Sequence, residues 1–240
     1  MSNRLAIVFG GTRGIGAACV QTLAESGYDV AYTWVTSAPN LQERIGTSRT
    51  KGYQADVTDA AQVARAFDDA IRDFGPAIHC VVANAGINVP PSPLAQTDPA
   101  TFRRVVDVNL VGAFNMLAEA ARRIADGGNI IALTTSMVRM AVPNAGPYVA
   151  TKAAVECLIR SLSKELASRK VRVNAVAPGP VDTDLFRAGK TEEAKQRSAA
   201  LSPFNRVGLP QEVAEVVGFL ASDKASWVHG QIVQPNGGMV

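Results

Sequence analysis

Residues 5–16 read LAIVFGGTRGIG, and this stretch decides the fold. Leu5 to Phe9 form a short apolar run, the pattern of a strand buried on both faces of a parallel sheet. Gly10, Gly11, Gly14 and Gly16 interrupt it, and Ala17, Ala18, Val20 and Leu23 then supply the apolar face of a helix. Glycines at a strand-to-helix turn let a phosphate approach the backbone N–H groups at the helix start. The expectation is a dinucleotide site at the mouth of the first βα unit. Glycine-rich turns also occur without ligands, and the spacing Gly10-x-x-x-Gly14-x-Gly16 differs from G-x-G-x-x-G. No Lys-Ser or Lys-Thr pair follows the glycines, which argues against a mononucleotide P-loop.

Working outward, Asp29 to Trp34 reads as a second strand, Leu41 to Ile45 as a short helix and Gly52 to Ala55 as a third strand. Asp59 is placed to cap a helix over 60–73, whose Val63, Ala66, Phe67, Ala70 and Ile71 follow helical spacing. Ile78 to Ala83 gives a fourth strand ending in Asn84-Ala85-Gly86, and the proline-rich segment Pro90 to Pro99 reads as surface loop. One helical pattern covers 100–125 until Gly127 and Gly128 stop it before a strand around Asn129 to Leu133. A helix from near Tyr148 towards Arg169, a strand over Val171 to Ala175, a helix over Gln211 to Leu220 and a strand over Ile232 to Gln234 complete the chain. The alternation predicts an α/β fold: a single-domain, Rossmann-like, doubly wound parallel sheet over 1–240 with helices on both faces. Residues 185–209 read as a polar, mobile excursion on the substrate side, expected to order when Leu185, Phe186, Phe204 and Val207 find a ligand to cover.

With 24 basic and 21 acidic residues the net charge is +3, too balanced to imply a nucleic-acid surface. No apolar run reaches the length of a bilayer span and the N-terminus reads as lacking a signal segment, so a cytoplasmic protein without membrane partners is expected. Cys19, Cys80 and Cys157 are odd in number and widely spaced, which suits small core residues in a reducing compartment. No metal site is expected, and His79 and His229 are read as structural, with a site or interface role for His229 the alternative.

Tyr148 and Lys152 are four residues apart and share one helical face. A lysine so placed can lower the pKa of a tyrosine by favouring the phenolate and can also donate to a cofactor ribose. The same pair also fits an ordinary surface helix. Thr134-Thr135-Ser136 ends the preceding strand and can present a hydroxyl beside Tyr148 to orient a carbonyl oxygen, or can simply make a turn.

Taken in order, the glycine turn, Asp56, Asn84-Ala85-Gly86, Asn109, Tyr148-x-x-x-Lys152 and Pro178-Gly179 resemble the short-chain dehydrogenases/reductases, from Arg4 through Gly238. Within that family the chain is similar to the 3-oxoacyl-carrier-protein reductases. The resemblance implies Tyr148 as catalytic acid or base, Lys152 as its pKa-lowering and ribose-binding partner, and Asn109 as holder of a relay water. It points to Thr135 for the carbonyl-orienting hydroxyl, with Ser136 as the neighbouring alternative. For the cofactor it implies Gly10, Thr12, Arg13, Gly14, Ile15 and Gly16 at the turn, and Asp56 and Val57 at the adenine. Asn84, Ala85 and Gly86 would line the ribose, and Pro178, Gly179, Val181 and Thr183 the nicotinamide. Phe9 and Ala83 replace a threonine and an asparagine common in the family.

The second strand reaches Trp34 where NAD-using relatives usually carry an acid, while Arg13, Thr36 and Ser37 can receive a 2′-phosphate, so NADP(H) is the expected cofactor. The expected reaction is hydride transfer to a ketone or aldehyde, including a 3-oxoacyl thioester. An NAD-dependent alcohol or sugar dehydrogenase and a non-catalytic dinucleotide-binding regulator are the alternatives. Small and apolar residues on the helices over 100–125 and 148–168, with Trp227 near the last strand, suggest a homotetramer closed by two two-fold axes.

Overall fold

The computed structural model describes residues 4–36, 41–188 and 190–240. Its strands are β1 (Arg4–Phe9), β2 (Tyr28–Trp34), β3 (Arg44–Ile45), β4 (Ser48–Gln54), β5 (Ile78–Ala83), β6 (Ile124–Leu133), β7 (Arg172–Val176) and β8 (Ile232–Val233). They form one eight-stranded sheet in the order β3-β4-β2-β1-β5-β6-β7-β8. Every neighbouring pair is parallel apart from β3 with β4. Chain order reverses about β1, which opens a crevice at the carboxyl ends of the central strands.

Strand alternation divides the core into two layers. Leu5, Ile7 and Phe9 of β1 join the cluster beneath α2 (Ala60–Phe74), α4 (Gly112–Arg123) and α6 (Gly146–Glu165). Ala6 and Val8 join the cluster beneath α1 (Gly14–Glu25) and α9 (Pro210–Ala221). Both faces of β1 are therefore dry, which is why its sequence is a continuous apolar run. Phe9 packs on Phe67 of α2 with ring centroids 5.7 Å apart.

The structure departs from the sequence reading at several boundaries. Leu41–Ile45 holds no helix: Arg44 and Ile45 are an edge strand that turns at Gly46 into β4. That strand begins at Ser48, ahead of its apolar pattern, because polar anchors hold its start. Asp29 accepts from the Arg49 amide at 2.8 Å and from its guanidinium at 2.7 and 2.9 Å, while Ser48 donates to Ala24 O.

The helical pattern over 100–125 divides into α3 (Pro99–Val106), a π-helical turn (Asp107–Val111) and α4. Gly127 and Gly128 do not precede the next strand but lie within it, where the pairing shifts register between Ile78/Ile124 and Cys80/Asn129. Cys19 and Cys80 are buried as expected, whereas Cys157 is exposed on α6.

The excursion over 185–209 contains helical turns. Thr183 caps α7 (Asp184–Arg187) and Thr191 caps α8 (Glu192–Ala199), each accepting from a backbone amide. A bridge between Val181 and Gly208 closes its base. Its apolar side chains remain open to solvent nonetheless, with Leu185 48% and Phe204 70% exposed.

Candidate active site

The glycine turn after β1 is held from two sides. Gly10 N donates to Thr33 Oγ1 on β2 at 3.1 Å, supplying a threonine hydroxyl from the neighbouring strand although Phe9 carries none. Asn84, at the end of β5, donates its amide to Phe9 O at 3.2 Å and Gly10 O at 2.9 Å. A Cβ on Gly16 would lie 2.0 Å from Gly10 O and 2.6 Å from Asn84 Nδ2, so the first turn of α1 packs directly on the loop it follows. Arg13 is the N-cap of α1 but no side chain caps the helix, and its first turn carries no acid. The initial N–H groups of a helix lack intrahelical acceptors and favour an anion. This cradle fits a dinucleotide pyrophosphate.

Across the crevice, β6 ends at Leu133 and Thr134-Thr135-Ser136 turns into α5 (Met137–Met140). Thr135 stands beside Tyr148, near the start of α6, and favours its phenolate; its Oγ1 accepts from Met137 N at 3.3 Å. Ser136, fully buried, donates its hydroxyl to Ala177 O at 2.6 Å. One helical turn beyond Tyr148, Lys152 donates from Nζ to Leu133 O at 2.8 Å. Tyr148, Thr135 and Lys152 thus converge on the end of β6, while the Ser136 hydroxyl is committed to the chain after β7.

Asn109 lies in the π-helical turn and is 1% exposed. Its side chain accepts from Ile87 N at 2.8 Å and donates to Ile87 O at 2.9 Å and to Thr151 Oγ1 at 3.4 Å. A Cβ built on Gly86 would stand 3.2 Å from Asn109 Oδ1 and 3.4 Å from Lys152 Nζ. The Asn84-Ala85-Gly86 segment therefore passes directly beside both residues.

Burial dominates the electrostatics. It pushes the Tyr148 phenol up to about 12, and the neighbouring Thr135 pulls the other way. It lowers Lys152 from its ordinary 10.5 to about 8, because an ammonium loses hydration here. Lys152 does not depress the Tyr148 pKa in this arrangement: the ammonium points at Leu133 O, and Thr135 is the group that favours the phenolate. Glu156, another turn along α6, is buried and its pKa is raised by burial; Thr134 donates to it at 3.3 Å and Arg160 stands 3.8 Å away.

The other sequence-selected positions surround the same crevice. Asp56 Oδ1 accepts from the amide and hydroxyl of Thr58, while Asn115 donates to Val57 O at 2.9 Å, a contact for which the sequence offered no signal. A Cβ on Gly14 would approach Thr183 Cγ2 to 3.1 Å, so the segment after β7 borders the glycine turn. Arg13 and Thr36 are exposed, and Ser37 lies outside the described residues. His79 and His229 are structural: each Nδ1 accepts a backbone amide, from Leu5 and Val173 respectively. Among the described residues no helix is long and apolar enough to cross a membrane.

Comparisons with known proteins cover the whole chain. A family model described as enoyl-(acyl carrier protein) reductase matches residues 10–240. A short-chain type dehydrogenase/reductase of Picea abies is 41% identical, covering 100% of this chain and 93% of that protein. An Arabidopsis thaliana NADPH-dependent aldehyde reductase-like protein, chloroplastic, is 40% identical over 100% of this chain and 95% of its own length. Among solved structures, a blue fluorescent protein from a metagenomic library in complex with NADPH superposes with a TM-score of 0.91 at 32% identity, covering 100% of this chain and 98% of that one.

Proposed function

Because the chain belongs to the short-chain dehydrogenase/reductase family, we propose that Tyr148, Thr135, Lys152 and Asn109 are its reaction centre. The protein is an NADP-dependent oxidoreductase acting on carbonyl or alcohol substrates. The observation that carries the site assignment is the convergence of Tyr148, Thr135 and Lys152 on the end of β6, across the crevice from the helix-terminus cradle.

NADPH, when bound, supplies the hydride. The turn from Gly10 through Thr12, Arg13, Gly14 and Ile15 to Gly16 would hold its pyrophosphate, and Arg13, Thr36 and Ser37 would take the 2′-phosphate. Asp56 and Val57 would hold the adenine, Asn84, Ala85 and Gly86 the ribose with Tyr148 and Lys152, and Pro178, Gly179, Val181 and Thr183 the nicotinamide.

Thr135 donates a hydrogen bond to the substrate carbonyl oxygen, and Tyr148 gives that oxygen its proton. A phenol with a raised pKa is a weak acid, but an alkoxide is a far stronger base, so the transfer runs downhill once charge develops on the oxygen. Lys152 then offers its proton to the Tyr148 side of the site. The Asn109 amide is occupied by Ile87 at both ends, so any service to a relay water falls to its main chain in the π-helical turn.

Small aldehydes and ketones are the substrate class we place first, following the name of the similar Arabidopsis protein. A 3-oxoacyl thioester is the second reading, suggested by the acyl-carrier description of the family model. A kinetic panel of NADPH consumption separates them. The assembly we propose is a homotetramer: Phe102, Val111 and Phe114 leave apolar surface exposed on the α3–α4 face, and Trp227, 97% exposed, does so near β8. Free Cys19, Cys80 and Cys157 fit a reducing compartment, and we propose the cytoplasm, for which cell fractionation is the check.

Three outcomes are expected. Tyr148→Phe and Thr135→Ala lower kcat by about a hundredfold or more with little change in thermal stability, whereas Ser136→Ala, which touches no reacting atom, lowers kcat less, by roughly tenfold; wild-type turnover in Tyr148→Phe would refute the assignment. Arg13→Ala weakens NADPH use by roughly tenfold to a hundredfold while sparing NADH, and an equal loss with both cofactors would remove Arg13 from the 2′-phosphate site. Light scattering across a dilution series gives four times the 25.2 kDa chain mass; a persistent monomer would rule out the tetramer.

A further inference from the structure

The last residues of the chain connect the reaction centre to the substrate-side excursion through one asparagine. Asn236, just beyond β8, donates from Nδ2 to Ser136 Oγ at 3.1 Å. Ser136 is fully buried and is itself fixed twice to the segment after β7. Its hydroxyl donates to Ala177 O at 2.6 Å and its amide to Pro178 O at 2.9 Å. Gly179 N in turn donates to Pro235 O at 3.2 Å. A Cβ on Gly179 would lie 3.0 Å from Asn236 Cα, so the two segments are pressed together where only glycine fits.

The other side of Asn236 faces the end of the excursion. Its Oδ1 accepts from Gly238 N at 3.0 Å and Met239 N at 3.2 Å, folding the C-terminal residues into a turn. Within that turn Gly237 O accepts from Ser202 Oγ at 2.7 Å, and Ser202 Oγ accepts from Phe204 N at 3.1 Å. Ser202 is buried although most residues around it are exposed. Two sets of hydrogen bonds, joined by the Asn236–Gly237 peptide bond, therefore link Phe204 and Ser202 to Ser136, the immediate neighbour of Thr135.

We propose that Asn236 is a positioning residue for the Thr135 hydroxyl, acting through Ser136, and that it couples the ordering of the excursion near Ser202 to the geometry of the reaction centre. The proposal rests on the assignment of Thr135 made above. Asn236 touches no reacting atom. Its amide holds Ser136 in the rotamer that donates to Ala177 O, which fixes the turn carrying Thr135 against Tyr148. Without that donor the turn has one fewer restraint on the side away from Tyr148. Small displacements of an orienting hydroxyl are costly to a reaction whose groups must be aligned.

The test compares Asn236→Ala and Asn236→Asp with Thr135→Ala and the wild type in the full-length protein. The aspartate variant keeps the acceptor for Gly238 and Met239 but loses the donor to Ser136, so it separates catalytic positioning from folding of the C-terminal turn. Both Asn236 variants are expected to lower kcat roughly tenfold per NADPH-binding site, with the KM for NADPH within about twofold of wild type. Hydrogen exchange in the ligand-free protein supplies a readout independent of turnover. Asn236→Ala should speed exchange in peptides over 134–138 and over 202–206 together, leaving β1 and α1 unchanged; Asn236→Asp should speed it over 134–138. Wild-type kcat in Asn236→Asp, or unaltered exchange over 134–138, would overturn the positioning role. If Thr135→Ala abolishes turnover while the Asn236 variants retain it, this inference alone fails. If Thr135→Ala is fully active, the assignment of Thr135 fails first.

Discussion

The ammonium of Lys152 donates to the carbonyl of Leu133 across 2.8 Å, and the rest of the site depends on that contact. A buried cation is costly to desolvate and is held only where a strong acceptor meets it. Here the acceptor is the last residue of β6, so the bond fixes α6 against the end of the strand. Tyr148 sits one turn earlier on the same helical face, and Thr135 lies just past the same strand end. One interaction thereby sets the approach of the two hydroxyls.

On the opposite wall the constraint is steric. The turn from Gly10 to Gly16 closes so tightly that Gly16 rests against Gly10 O and the Asn84 amide. Asn84 and Thr33 saturate backbone groups of the turn that burial would otherwise leave unpaired. The uncapped amides at the start of α1 are spared from that network. An anion-binding terminus thus survives in a region where nearly every other polar group has found a protein partner. The crevice joins this wall to the hydroxyl pair, which is the arrangement required by a reaction between a phosphate-anchored dinucleotide and a small carbonyl.

Much of this was legible in the chain. The apolar run at Leu5–Phe9, the glycines after it and the four-residue spacing of Tyr148 and Lys152 each report a local constraint, and local constraints leave periodic or compositional traces. Asp59 was readable as a cap for the same reason, and it accepts from Ala61 and Gln62 amides. The failures lie where a distant partner decides. β4 begins early because Asp29 and Ala24 hold Ser48 and Arg49, and those contacts leave no pattern within the strand itself. The π-helical turn at Asp107–Val111 keeps helical spacing on either side, so periodicity passes over it. Asn84 was expected along a ribose, and its amide also braces the glycine turn. The sequence resemblance located that residue at the site; only the packing shows which atoms it holds.

The central claim is that a buried Lys152, pinned to the end of β6, organises the reaction centre. A carbon-NMR titration of its side chain in the ligand-free protein, assigned by comparison with Lys152→Met, tests this most directly. The predicted pKa is about 8, against an ordinary 10.5. Between those values the unfolded chain retains a proton that the folded chain has released, so folding stability should rise with pH across that window and Lys152→Met should abolish that rise. A Lys152 that titrates near 10.5, with no such pH dependence, would mean that the ammonium is solvated rather than buried, contradicting the account.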